Sequence, residues 1–213
     1  MSGDVRLAGA CERPVAGQLV VVWLLHVRRA DAGEASVRAP TQLAFTLGSG
    51  ELGLQGLDEA VAALSVGERA ELTLPADTRL SLPPGELHGR EGFAGTLADC
   101  EVRADVELRP CLVRSLRPGC GGDRPTLGSV VVARLRRARV WGGGALAMPE
   151  LVRFEVGAGE VVAGLEAAVL EMALAELAEV LVPPMAAYGA DGQPRVAPPN
   201  AALLLEVELL GWV

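Results

Sequence analysis

A Leu47-Gly-Ser-Gly-Glu51 turn returns later in the chain as Val156-Gly-Ala-Gly-Glu160. Gly56-Leu57 returns as Gly164-Leu165, Ala60-Val61 as Ala168-Val169, and Leu64 as Met172. Leu74-Pro75 matches Val182-Pro183, and Val106-Glu-Leu108 matches Val207-Glu-Leu209. Gly17 pairs with Gly128, each just ahead of a run of valines. Any one pair can arise by chance, but a series that keeps its order is hard to explain that way. Self-similarity on this scale marks a duplicated structural unit, with drifting spacings absorbed by loops around a shared frame. The chain therefore reads as two diverged copies, residues 1–110 and 111–213. The seam is expected in the Pro- and Gly-rich stretch from Pro110 to Pro125.

Both copies show the same succession of periodicities. Leu19 to Val27 and Val130 to Val140 are rich in β-formers and follow a turn glycine. Gln42 to Leu47 and Leu151 to Val156 alternate and end at a Gly-x-Gly turn. Leu57, Val61 and Leu64 then take helical spacing, as do Leu165, Val169 and Met172. Gly67 suits a left-handed helix stop. Its counterpart is Ala175, so the second helix is expected to run a turn longer or end differently. Ala70, Leu72 and Leu74 alternate with polar residues, and Ala178, Val180 and Val182 repeat that pattern. The last strand of each copy alternates too, and Arg103, Asp105, Glu107, Glu206 and Glu208 are expected to face water. Alternating strands with one central amphipathic helix predict an α+β fold, an antiparallel sheet covering a helix.

Composition narrows the function classes. Half of the 213 residues are hydrophobic and 22% are charged, which excludes a disordered chain. The net charge of −8 argues against binding nucleic acid or an anionic membrane. All 19 basic residues are Arg; without Lys, Schiff-base chemistry and a P-loop are excluded. Cys11, Cys100, Cys111 and Cys120 form no C-x-x-C pair and the histidines are His26 and His88, poor material for a metal site. Free thiols in a reducing compartment, the absence of a leader-like N-terminus and the lack of a bilayer-length apolar run predict a cytoplasmic protein without a membrane span.

Three segments carry a resemblance to a known family. These are Val161-Val-Ala-Gly-Leu165 ahead of a helix, Val182-Pro-Pro-Met-Ala-Ala-Tyr-Gly189, and Ala197-Pro-Pro-Asn-Ala-Ala-Leu-Leu-Leu-Glu-Val-Glu-Leu-Leu210. In that order and spacing they resemble the FKBP-type peptidyl-prolyl isomerases. Leu47-Gly-Ser-Gly50, Gly56-Leu-Asp-Glu59 and Ser65-Val-Gly-Glu-Arg-Ala-Glu-Leu-Thr-Leu-Pro75 are similar to the same family. The resemblance implies tandem FKBP-like domains, each an antiparallel sheet wrapped around one short helix with a pocket between them. It implies no cofactor and no metal. The barrier to X-Pro rotation, roughly 18–20 kcal/mol, comes from amide resonance. An apolar, aromatic-walled pocket lowers it by favouring the twisted amide over the planar one.

In the second copy the resemblance assigns Val161 and Val162 to the pocket floor, where their amides meet the ligand. Ala187 and Tyr188 match the pair whose hydroxyl donates a hydrogen bond to the substrate carbonyl. Tyr188 is thus the candidate catalytic residue and the chain's sole tyrosine. The departures are larger. Leu165 stands where the family has the pocket-floor tryptophan, Leu135 where it has a wall tyrosine, and Leu205 and Val152 where it has phenylalanines. Four ring-to-aliphatic changes, each about 0.5–1 kcal/mol beyond area burial, amount to a loss of order tenfold to a hundredfold or more. In the first copy Leu57, Leu24 and Ala104 replace rings, Leu52-Gly-Leu-Gln55 carries an extra residue, and no Ala-Tyr-Gly follows Pro75.

The copy at 1–110 therefore reads as a degenerate, structural domain, and 111–213 as a domain with a partly retained pocket. The expected function is a protein-binding or scaffolding module with weak or lost isomerase activity; the alternative is an active isomerase working through the second domain. Its expected partner is a protein or X-Pro peptide, with a place in a larger protein assembly. Arg134, Arg136, Arg137 and Arg139 read as a solvated strand face, with an acidic-partner docking strip as the alternative. Trp23 reads as part of a strand buried on both faces or at a seam, and Trp212 as a packing anchor.

Overall fold

The computed structural model describes residues 13–29, 36–38, 41–50, 56–74, 79–82, 93–96 and 101–213. They fall into two compact units, one ending at Arg109 and the other running from Pro110 to Val213. The first unit holds β1 (Leu19–Arg29), β2 (Ser36–Arg38), β3 (Thr41–Thr46), α1 (Leu57–Ala62), β4 (Arg69–Leu74), β5 (Arg79–Leu82), β6 (Phe93–Thr96) and β7 (Val102–Arg109). The second holds β8 (Leu112–Arg117), β9 (Val130–Val140), β10 (Leu151–Glu155), α2 (Ala163–Glu171), β11 (Leu177–Val182) and β12 (Leu203–Trp212), with a 3-10 turn at Pro184–Ala186. The fold is α+β with antiparallel sheets, as the alternation predicts. β8 lies inside the stretch expected to be the seam and pairs with β11.

The strand order β3-β1-β7-β4 in the first unit is matched by β10-β9-β12-β11 in the second. Backbone bonds repeat with it. Gly17 N donates to Leu47 O at 2.9 Å, and Gly128 N to Val156 O at 2.9 Å. Both glycines have positive φ, at 88° and 82°, a conformation costly to side chains. After each helix Ser65 N bonds Glu68 Oε2 at 2.8 Å, and Ala173 N bonds Glu176 Oε2 at 2.9 Å. Gly67 N then reaches Leu108 O and Ala175 N reaches Leu209 O, both at 2.8 Å. Of the two expected alternatives the helix ends differently: the cap of α1, Ala63, is helical, whereas the cap of α2, Met172, is extended (φ −91°, ψ 145°). α2 ends at Glu171, and Ala175 takes φ 61° in the place where Gly67 has 86°. Tertiary pairing to β12 imposes the left-handed turn on an alanine. α2 is longer than α1 at its start, where an extended Val162 replaces the left-handed Gly56.

In the second unit Val131, Ala133, Leu135, Phe154, Ala178, Val180, Val182, Leu203, Leu205, Val207 and Leu209 enclose Leu165, Val169 and Met172. The expected amphipathic stripe widens here, for every residue from Gly164 to Val169 is buried. Small Ala167 and Ala168 let the sheet shelter the helix on nearly all sides. Trp212 packs against this core, as a packing anchor should.

Two acidic residues expected to face water do not. Glu107 and Glu208, matching positions of β7 and β12, are buried among arginines. Arg69 Nε at 2.7 Å and Arg109 Nη1 at 2.8 Å hold Glu107. Arg117 Nη2 at 2.6 Å, Arg136 Nη2 at 2.9 Å and Arg134 Nη1 at 3.2 Å hold Glu208. A β9 irregularity between the Arg137 and Leu135 pairings puts Arg136 beside Glu208 as well as Arg134. The basic stretch is a strand face that stays 39–84% exposed at Arg134, Arg136 and Arg137 while pairing with Glu208 and Glu206. Trp23 is half-buried, with the Arg109 guanidinium 4.1 Å from its ring centre, and so is not buried on both faces.

Candidate functional site

The second unit brings Val161, Val162, Ala187 and Tyr188 into the wall of one cleft of about 350 Å³. The other lining residues are Gly159, Glu160, Ala163, Glu166, Met185 and Ala186. Val162 is extended (φ −62°, ψ 140°) and caps α2. Its carbonyl accepts from Leu165 N at 2.9 Å. The two valines thus lead straight into the helix, alongside the cleft. Gly164 permits this approach: a Cβ there would fall onto the Val182 side chain and lie 2.9 Å from Pro110 O.

The opposite wall comes from the Pro-Pro-Met-Ala-Ala-Tyr-Gly stretch. Pro183 and Pro184 favour an extended approach and a helical first position, and the 3-10 turn follows. Ala187 N and Gly189 N both donate to Pro184 O, at 3.0 and 2.8 Å. Gly189, at φ 61°, closes the turn, and Asn200 N donates to its carbonyl at 2.9 Å. Tyr188 is held between these bonds, half-buried against the core. Its hydroxyl bonds no other described residue, leaving a donor at the cleft. Burial raises its pKa above the ordinary phenol value of 10.0, so the proton stays on the oxygen at neutral pH.

Leu165, Leu135 and Leu205 do not line this cleft. They are 1%, 5% and 0% exposed and belong to the core, and Val152 packs partly against it. The branched aliphatics at the cleft are Val161 and Val162 rather than these three leucines. Tyr188 is the sole ring among the described lining residues.

Glu166 is not among the expected site residues, yet it belongs to the candidate site. It is 2% exposed, lines the cleft, and accepts from Gly159 N at 3.0 Å. The repeat held the clue, because Asp58 at the matching helical position accepts from Gly48 N at 2.6 Å. Each acid ties its Gly-x-Gly turn to the start of the helix. In the first copy, residues 51–55 and 75–78, which carry the altered floor and the missing Ala-Tyr-Gly, lie outside the described residues. A further hollow of about 460 Å³ is bordered by 191–199, including Asp191 and Arg195. Cys111 and Cys120 are in no disulfide; Cys11 and Cys100 lie outside the described residues. No group of three or more metal-ligating side chains occurs among the described residues, and no described helix is long and apolar enough to cross a membrane.

A sequence description of the FKBP-type peptidyl-prolyl cis-trans isomerases matches residues 139–210, the part that holds the cleft. FK506-binding protein 1 of Rhizopus delemar is 34% identical over 102 residues, covering 46% of this chain and 94% of that protein. FK506-binding protein 2 of Candida glabrata is 44% identical over 61 residues, 29% of this chain and 45% of its own length. The three FKBP domains of wheat FKBP73 align with 24% identity and a TM-score of 0.45, over 98% of this chain and 92% of that one. The chain belongs to the FKBP family, and its cleft-bearing segment is an isomerase-type module. It spans 45% of the Candida glabrata relative and 23% of FK506-binding protein 59 of Drosophila melanogaster.

Proposed function

We propose that the chain is a pair of FKBP-like domains, 1–110 degenerate and structural, 111–213 a peptide-binding module with weak or lost isomerase activity. The observation that carries this reading is the cleft's lining: one phenol donor, two carboxylates and otherwise glycine, alanine, valine and methionine. Tyr188 would donate to the carbonyl of an X-Pro segment while Val161, Val162 and Ala187 give it an apolar seat. Binding of that kind recognises a planar amide about as well as a twisted one. Uniform binding holds a partner without lowering the barrier. With the ring positions filled by Leu165, Leu135 and Leu205 inside the core, little flat surface remains to favour the rotated state. The partner is a protein presenting an X-Pro segment, within a larger assembly, and reduced thiols at Cys111 and Cys120 fit a cytoplasmic setting.

The test is catalysed cis/trans exchange of a short X-Pro peptide, followed by NMR with the folded chain and its Tyr188→Phe variant. Binding with exchange no faster than the spontaneous rate supports the reading. Robust exchange that falls in Tyr188→Phe would establish an active isomerase instead.

A further inference from the structure

The buried carboxylates of this protein are not all treated alike. Glu107 and Glu208 are each clamped by arginines, at 2.8 Å or closer for the nearest of them. Glu166 is buried more completely, at 2% exposure, yet its one hydrogen bond comes from the Gly159 amide. Among the described residues it has no cationic partner. Glu160, at the rim of the same cleft, accepts from Glu155 N at 3.0 Å and likewise lacks a cation among the described residues. Among the described residues no arginine lines the cleft, although the chain has 19. Glu166 lies in the first turn of α2, where the helix N-terminus favours its charge, so a carboxylate stands in the cleft wall with no cation beside it among the described residues.

Resting on the reading of this cleft as an X-Pro binding site, we propose that it selects segments carrying Arg or Lys beside the proline, with Glu166 and Glu160 receiving the cation. The apolar lining seats the proline ring, and the two carboxylates, in a site partly screened from water, supply the discrimination. Charge recognition of this kind acts on partner choice and on association rate more than on chemistry. An acidic flank would meet two like charges and be excluded.

The experiment titrates the full chain with three capped tetrapeptides, Ala-Arg-Pro-Ala, Ala-Leu-Pro-Ala and Ala-Glu-Pro-Ala, followed by NMR. The Arg peptide is expected to bind roughly fivefold or more tighter than the Leu peptide, with the Glu peptide weakest. In Glu160→Gln and in Glu166→Gln, which keeps an acceptor for Gly159, the Arg-to-Leu ratio falls toward one. Added salt narrows the ratio in the unaltered chain. Equal or tighter binding of the Leu peptide overturns the charge selection and leaves the peptide-binding reading standing. Failure of all three peptides to bind overturns both.

Discussion

The two copies share a frame and differ in what they do with it. Gly17 and Gly128 make the same bond, Glu68 and Glu176 cap the same turn, and Asp58 and Glu166 tie the same loop to the same helix. These are backbone bonds or single-acceptor contacts, which tolerate wide divergence elsewhere. The cleft tolerates less. α1 begins after a left-handed Gly56, whereas α2 begins after extended Val162 and carries a close-packed Gly164. The lesson is that a frame survives on hydrogen bonds any sequence can supply, and a pocket survives on a few particular side chains. The ion clusters teach the converse. Glu107 and Glu208 keep one position, but their arginines come from β4 and β7 in one copy and from β8 and β9 in the other.

The sharpest break is expected where each helix starts. Gly164→Ala should destabilise the second unit by about 1–3 kcal/mol, because backbone and Val182 must move to admit a Cβ. Gly56→Ala meets only the Leu72 side chain, at 3.5 Å, and Glu59 Oε2 at 4.0 Å, so it should cost about 0.5–1 kcal/mol through its positive φ alone. Urea unfolding of the full chain separates them; equal costs would show that close approach is not what distinguishes the starts of α1 and α2.

The ion cluster comes next. Hydrogen bonds from Arg136 and then Arg117 hold the Glu208 carboxyl below its ordinary value of 4.5, against the opposing effect of burial. A lowered folded-state value stabilises the fold above the ordinary carboxylate range, and that stabilisation is lost as pH falls through the lowered value. Thermal midpoints between neutral pH and pH of about 3 should therefore fall less steeply in Glu208→Gln than in the parent. Parallel slopes would deny Glu208 this role.

Removing the Tyr188 hydroxyl is a smaller change. Tyr188→Phe should weaken X-Pro peptide binding by about 0.5–1.5 kcal/mol, roughly three- to tenfold, with stability nearly unchanged. Because burial raises the phenol's value, binding should hold level up to pH 10.0 and decline only above it. An earlier decline would assign the donor to another group.

The smallest effect tests the turn at Ala175. Ala175→Gly should stabilise by about 0.5–1 kcal/mol, relieving a left-handed alanine, while Gly67→Ala should destabilise by a similar amount. Matched opposite signs in chemical unfolding would show that the two turns are equivalent.

The ordered series of matching segments, the alternating strands with one helix in each copy and the segment bearing Tyr188 were legible in the sequence, because local periodicity and turn residues act over a few neighbours. Gly67 announced its turn and Ala175 did not, since long-range pairing with Leu209 imposed the conformation there. Glu107 and Glu208 looked solvent-facing because alternation says which face a residue takes and not what covers it. Their burial needed arginines brought in from separate strands. Likewise the Val161–Tyr188 grouping was foreseeable from motif order, but the withdrawal of Leu165, Leu135 and Leu205 from the cleft was not. Whether a shortened side chain leaves a hollow or is closed over depends on how far sheet and helix can approach, and only the assembled core settles that.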